Sequence, residues 1–434
     1  MDKIKQYQYP MYLSLLAILA VLGNLINLPT IILGSFFVMA LALVYFKQEV
    51  LYFLPLLVFA PFVVSGNPAL REYLLPYFIT MSVVLLIDLF KHRQFKHIGS
   101  LGLALLLLLD AAALSLLNAP SFLIGLQGLL ILFSGFLVYF YLINTLQPNE
   151  LLLSNVAWLF VILSGVIFIQ IFIQLYQSDL SLFQAMIKRD VNLRWIHVND
   201  VLAINLMAIP LSGYLMHRAP FKLPYMVIMF LIYVPFMFVL APISLFSGAI
   251  LIVLSALYVV IKANNIKRVL IEGTLFVALG ALGLYLINMR YDSVIWRIYD
   301  YVISIDRGHL SALVETFRIG IRMFRSNPII GSGGISASIA LLEEGLNITH
   351  YRNVFIQTLT LGTLGFLAFV YLQYRKIKLI LKTEKAMRYF ALSLLFVVII
   401  IHGSFEPMYY QYLFISGFFL VLAALEVNVK AALK

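Results

Sequence analysis

Apolar runs of 13 to 26 residues, separated by short polar punctuation, repeat along almost the whole chain. An α-helix needs roughly 20 such residues to cross about 30 Å of hydrocarbon. The pattern predicts spans at 11–28, 31–46, 50–65, 73–90, 98–117, 121–146, 151–176, 199–217, 223–240, 244–261, 269–288, 354–373, 389–401 and 408–427. The expected fold is therefore all-α, a polytopic transmembrane helical bundle of about 12–14 spans. Residues 1–288 hold membrane helices 1–11, 289–353 form one large extracytoplasmic segment, and 354–434 hold membrane helices 12–14. The basic, apolar N-terminus lacks a small-residue cleavage site and reads as a retained first span.

Composition strengthens this picture. Hydrophobic residues make up 63% of the 434 and charged residues 11%, and the mean hydropathy is +1.01. An ordinary soluble domain carries roughly 45–50% apolar and about 25% charged residues. Soluble enzymes, disulfide scaffolds and disordered chains are thereby excluded. With no cysteine, thiolate metal sites and Cys nucleophiles are excluded too.

Charge sets the expected orientation. With the N-terminus inside and the chain alternating, inner segments hold 19 of the 30 Lys and Arg residues. Ten of the 11 outer ones fall in two long segments, 177–198 and 289–353, leaving only Arg71 in a short outer loop. That asymmetry predicts N-in and C-in. The residue types differ as well: 14 Lys and 5 Arg inside, 1 Lys and 10 Arg outside. Lysine suits contact with anionic headgroups, whereas arginine suits a planar grip on phosphate. Neither population resembles a nucleic-acid patch.

The 65 residues of 289–353 dwarf the other connections, and long loops are usually functional. Tyr291, Ile295, Ile298 and Val302 share one helical face, which predicts a helix lying on the membrane surface. Trp296, beside Arg297, reads either as a sugar-stacking platform or as an interfacial aromatic. A second helix is predicted to stop before Pro328, with Leu310, Val314, Phe317, Ile321 and Phe324 as its apolar stripe. Arg318, Arg322 and Arg325 line one ridge beside that stripe, and Glu315 offsets only part of their repulsion. A diphosphate or anionic headgroups would supply the rest. A Gly-rich turn, NPIIGSGGISAS, then enters a helix predicted over 335–346, where backbone N–H groups can cradle an anion. Glu343, Glu344, His350, Arg352 and Asn353 follow before the twelfth span.

Pro328-Ile-Ile-Gly331-Ser-Gly333, then Asn353-Val-Phe-Ile-Gln357 and Gly362-Thr-Leu-Gly365, resemble the O-antigen ligase and polymerase superfamily, and Val198-Asn199-Asp200 entering a span is similar to its upstream motif. The resemblance is strongest over 328–365. It implies a metal-independent glycosyltransferase without cofactor at the outer face of the bacterial cytoplasmic membrane. Its donor would be glycan on a polyprenyl (undecaprenyl) diphosphate, held by arginines, with Arg307 and Arg318 competing for the family's arginine position. The family's His before Asn is thought to act on the acceptor hydroxyl. This chain has Arg352 there and His350 two residues earlier, and Ser247-Gly248-Ala249 lacks the family's arginine.

Outside the motifs, Asp110 lies about 10 Å inside a predicted span, as a proton site or as a partner of a base such as Arg71. Glu272, near an inner end, is expected to snorkel or to pair with Lys267 or Arg268. His402 and Glu406, four residues apart in an outer loop, are further candidate bases. Zinc, ATP and nicotinamide fingerprints are absent.

The expected function is a polymerase joining lipid-linked repeat units of O-antigen, capsule or exopolysaccharide. The alternatives are a ligase passing glycan to a non-carrier acceptor, and a flippase or exporter of lipid-linked oligosaccharide. Expected catalytic residues are His350, Arg352, His402 and Glu406. Arg307, Arg318, Arg322 and Arg325 would hold diphosphate; Trp296, Gly331, Gly333 and Asn353 would contact glycan or lipid. Lipid-linked oligosaccharide serves as donor and acceptor, with membrane lipids, a chain-length regulator and a flippase as further partners and no nucleic acid.

Overall fold

The computed structural model describes residues 2–25, 29–46, 52–53, 55–56, 59, 74–91, 97–148, 151–177, 198–238, 242–261, 266–290, 307–334, 337–345, 351, 353–383 and 412–432. Every regular element among them is helical and none is a strand. In chain order they are α1 (Asp2–Leu25), α2 (Pro29–Tyr45), α3 (Leu74–Lys91), α4 (Gly102–Ser115, continued by a 3-10 turn to Asn118), α5 (Phe122–Thr145), α6 (Leu152–Gln177), α7 (Val198–Arg218), α8 (Leu223–Tyr233), α9 (Pro235–Phe238), α10 (Pro242–Ile261), α11 (Ile266–Arg290), α12 (Arg307–Ser326), α13 (Ala337–Glu343), α14 (Val354–Leu359), α15 (Gly362–Lys382) and α16 (Tyr412–Ala432).

Proline opens several helices, where its fixed φ suits the first turn and its missing N–H costs nothing, although Pro10 and Pro210 lie inside α1 and α7. Pro29, Pro235 and Pro242 each open a helix. The predicted span 223–240 is accordingly two helices, α8 and the short α9, parted before Pro235. The predicted 354–373 is also divided, into α14 and α15. There Gly362 takes φ +83°, a left-handed turn that no hydropathy window registers because both sides are apolar. The predicted 50–65 lies mostly, and 389–401 wholly, outside the described residues.

Among the described residues, Phe122–Thr145 and Leu152–Tyr176 are long and apolar enough to cross a membrane; α1, α2, α4, α8 and α10 carry shorter apolar stretches. The main core joins α5 to α16, α6 to α7, α7 to α10, and α4 to α15. Ring contacts such as Phe136 against Phe419 (5.3 Å) fill it. The outside is apolar as well: Leu103, Leu106, Leu107 and Leu114 are exposed along α4, and Leu364, Leu367 and Val370 along α15. Such contiguous apolar surface calls for a cover other than water.

Two ends of the bundle are marked by hydrogen bonds. At one, Asn118 after α4 donates through Nδ2 to the Gly331 carbonyl (3.0 Å). At the other, before α4, Ser100 donates to Glu426 of α16 through N (2.7 Å) and Oγ (2.6 Å). Tyr139 of α5 donates to the same carboxylate (2.5 Å), and Lys430 lies 3.3 Å from it. Arg375 Nε donates to the Ser100 carbonyl (2.7 Å). The 14 residues of α4 separate these ends by about 21 Å.

Candidate functional site

Arg318, Arg322 and Arg325 sit exposed along one side of α12, as the i, i+4, i+7 spacing requires. The protein-facing side coincides only in part with the predicted apolar stripe: Ile321 packs against the protein, but other stripe residues do not. Val314 and Phe317 are 62% and 50% exposed, whereas Thr316, Ile319 and Gly320 are buried. Ile319 joins Ala337, Leu341, Tyr351 and Ile356 in a small core of its own. Gly320 permits that approach: a Cβ there would lie 3.4 Å from the Tyr351 ring and inside the radius of Ile356. So α12 docks through Thr316, Ile319, Gly320 and the flank of Ile321, and leaves Phe317 and Val314 outward, where a membrane surface would receive them.

The arginine ridge is partly compensated. Arg318 donates to Glu315 at 2.6 Å and Arg322 to Glu344 at 2.5 and 3.4 Å. Arg325 is exposed and makes no ion pair among the described residues. The Arg322–Glu344 pair spans 22 positions, which ties the ridge to the residues after α13. A guanidinium has five N–H donors, so each paired arginine keeps donors for a further anion. Exposed pairs of this kind contribute about 0–1 kcal/mol, little enough for a doubly charged ligand to displace.

Three of the motifs meet in one place. Gly331 has φ +81°; a Cβ there would lie 2.5 Å from Gly362 N and Thr360 O, and closer still to the Leu361 carbonyl carbon. At Gly362 (φ +83°) a Cβ would lie 2.5 Å from Gly331 N. The two turns thus press backbone against backbone, and only glycine allows it. Ser332 N donates to Thr360 O (2.9 Å), and Thr363 N to Pro328 O (2.8 Å). Gln357 donates through Nε2 to the Gly334 carbonyl and accepts from Tyr351 N (3.0 Å). Asn353 caps α14, its Oδ1 accepting from Phe355 N (2.9 Å) and Ile356 N (3.0 Å).

This geometry redistributes the expected roles. The turn's N–H groups at Gly331 and Ser332 go to Asn327 O and Thr360 O, leaving neither to cradle an anion. Of the helix predicted over 335–346, α13 covers Ala337–Glu343, and its expected start at 335–336 lies outside the described residues. Gly333 is buried with φ +70°, and the Asn353 side chain is engaged in its cap. Gly331, Gly333 and Asn353 therefore shape the site's frame. Tyr351 is buried, and burial holds its phenol above the ordinary range, so it stays neutral. His350 and Arg352, its sequence neighbours, lie outside the described residues, as do Trp296, His402, Glu406 and the surface helix expected from Tyr291 to Val302. Arg307 is placed as the first residue of α12, its side chain outside the description, as are the Asn199 and Asp200 side chains of α7.

Other polar positions came out differently from their spacing. Asp110 is exposed on α4 in line with leucines; its suggested partner Arg71 lies outside the described residues. Glu272 accepts from Lys222 N (2.6 Å) and Leu223 N (2.8 Å), capping α8; the side chain of Arg268, one of its expected partners, lies outside the described residues. Ser247 is buried, and Gly248 packs on the Tyr233 ring. The sequence reading missed Glu426 altogether. It is 1% exposed, and a lone acid in an apolar final helix was the available signal. Lys376, counted as an inner-loop cation, is fully buried, 4.9 Å from the Phe418 ring centroid.

Compared with known proteins, the chain matches no family model and no curated sequence.

Proposed function

We propose that this is an integral membrane polysaccharide polymerase of the bacterial cytoplasmic membrane, with about 12–14 spans, both termini inside and 289–353 outside. It would join polyprenyl-diphosphate-linked repeat units without a metal. The observation that carries this reading is the meshing of Pro328–Gly334, Asn353–Gln357 and Gly362 beneath an arginine-bearing amphipathic helix. Residues 23 to 35 apart in sequence, matched to the family's motif order, form one hydrogen-bonded unit.

In the proposed reaction an acceptor sugar hydroxyl attacks the donor's anomeric carbon. A new C–O bond forms as the C–O bond to diphosphate breaks, and the lipid diphosphate leaves with the electron pair. Arg325, with the spare donors of Arg318 and Arg322, neutralises that charge, as always-protonated guanidinium can at any physiological pH. His350 takes the hydroxyl proton, with His402 or Glu406 as the alternative base. The seating of α12 on the Ile319–Tyr351–Ile356 core holds the arginines in place, which favours the charged transition state.

A ligase would use the same chemistry with a different acceptor. An exporter of lipid-linked oligosaccharide is the second reading, favoured by buried polar atoms on α6, α7 and α10. Ser164 Oγ, both Gln170 amide atoms, Asn205 Oδ1, Ser247 Oγ and Ser255 Oγ make no hydrogen bond among the described residues.

Arg318→Lys and Arg322→Lys test the polymerase reading. Lysine keeps the charge but loses the two-pronged contact, worth roughly 1.5–3 kcal/mol for a charge-assisted hydrogen bond. At 1.36 kcal/mol per decade that is a ten- to hundred-fold slower reaction, read as shortened glycan chains at matched membrane abundance. Full-length polymer from both variants would remove these residues from the site.

A further inference from the structure

Near the end of the bundle where α7 and α10 stop and α8 and α11 begin, these four helices leave a cavity of about 590 Å³, within the roughly 300–1,000 Å³ of small-ligand pockets. Its walls are apolar, including Met216, Met226, Met229, Phe230 and Phe276. Methionine-rich walls adapt to irregular, flexible occupants. Gly273 is the unusual wall residue. Glycine inside a helix is unfavourable relative to alanine, and a Cβ at Gly273 would meet nothing within 4 Å. Among the described residues, nothing fills the room there.

The rim of the cavity is basic. Lys222 precedes Met226 by four residues and Lys267 precedes Leu270 by three, so each lies one turn from a wall residue on the same ridge. Lys267 is exposed; Arg218, two residues after Met216 and so turned away from it, lies over the Tyr214 ring, 5.1 Å from its centroid. Lys222 Nζ binds the carbonyls ending α7, at Met216 (2.8 Å), His217 (2.9 Å) and Ala219 (2.5 Å). Glu272 is the one acid among these residues, and it is held by backbone N–H groups of Lys222 and Leu223. An apolar slot with a cationic mouth matches an anion on a hydrocarbon chain.

We infer that this cavity is a binding site for an anionic phospholipid, one acyl chain lying along Gly273 and the phosphate meeting Lys267. The inference rests on the membrane placement proposed above. The occupant is a bilayer lipid and not the glycan carrier. The 25 residues of α11 put about 37 Å between this rim and Arg290, the end that leads on towards α12. Bound lipid would wedge α11, whose packing partners among the described elements are α8 and α10, onto the bundle.

The test is thermal unfolding of purified full-length protein in an uncharged detergent, with added phosphatidylglycerol, phosphatidylcholine of the same chains, or undecaprenyl phosphate. Phosphatidylglycerol should raise the midpoint by several degrees, and phosphatidylcholine by less than half as much. Gly273→Phe fills the slot and should lose the phosphatidylglycerol shift; Gly273→Leu stands in if the bulkier variant does not fold. Lys267→Glu should lose the difference between the two phospholipids while keeping the phosphatidylcholine shift. Equal phospholipid shifts in wild type, an undiminished shift in both Gly273 variants, or a larger Gly273-dependent shift with undecaprenyl phosphate would each overturn the proposal. So would a Gly273 variant that changes the oligomeric state, since a second copy would then cover the slot. Wild-type protein in the soluble fraction after lysis would refute the membrane placement itself. Membrane-bound protein without a phosphatidylglycerol shift refutes the lipid site alone.

Discussion

Replacing Gly331 by alanine probes the joint on which the candidate site is built. The backbone there is left-handed (φ +81°), and a Cβ would press on Gly362 N, Thr360 O and the Leu361 carbonyl carbon. A left-handed residue with a Cβ costs roughly 1–2 kcal/mol in conformation alone. The clash must also part the two turns, straining Ser332 N to Thr360 O (2.9 Å) and Thr363 N to Pro328 O (2.8 Å). Each such bond contributes about 0.5–1.5 kcal/mol net. The sum is about 2–5 kcal/mol, concentrated locally. Gly345 supplies the control, since it has φ +83° but nothing within 4 Å of an added Cβ. Gly345→Ala should show only the conformational part. The assay is hydrogen–deuterium exchange of the detergent-purified protein, comparing peptides over 327–334 and 359–364. Gly331→Ala should lose protection in both peptides, roughly thirty- to several-thousand-fold at 1.4 kcal/mol per decade. Gly345→Ala should leave both unchanged. Equal effects from the two substitutions, or protection lost in one peptide only, would refute the backbone-to-backbone joint.

Two further outcomes follow from the structure. Cysteine at Glu343, an exposed position, should react with a membrane-impermeant thiol reagent in cells with a permeabilised outer envelope, and cysteine at the exposed Lys382 should not; reversed labelling would overturn the orientation. Glu426→Gln should destabilise the protein by roughly 2–4 kcal/mol, because the carboxylate accepts from Ser100 and Tyr139 while buried; an unchanged midpoint of thermal unfolding would show that this cluster is not a structural tie.

The helices were legible where apolar runs are long and bounded by polar residues and proline, as in α5 and α6, because hydropathy sums over many residues. It failed at Gly362, where a single φ divides one apolar run, and at Pro235, where the chain stays apolar across the break. The arginine ridge followed from spacing within one helix. Its counter-charge did not, because Glu344 is 22 residues from Arg322 and only tertiary structure brings them together. Motif order pointed to residues 328–365, but not to the contact between the turns at Gly331 and Gly362, because a close approach of backbone to backbone leaves no mark in spacing. The docking face of α12 was hidden for a similar reason: Gly320 and Thr316 are chosen for closeness, and a scan for apolar stripes passes over them.

The most direct test of the central claim is reconstitution. Purified protein in liposomes, given a polyprenyl-diphosphate-linked repeat unit in excess EDTA, should form polymer and release one polyprenyl diphosphate for each new linkage, with Arg318→Lys and Arg322→Lys slowed ten- to a hundred-fold. Lipid-linked units that cross the bilayer intact with no release of polyprenyl diphosphate, or a reaction that needs added magnesium or manganese, would contradict the account.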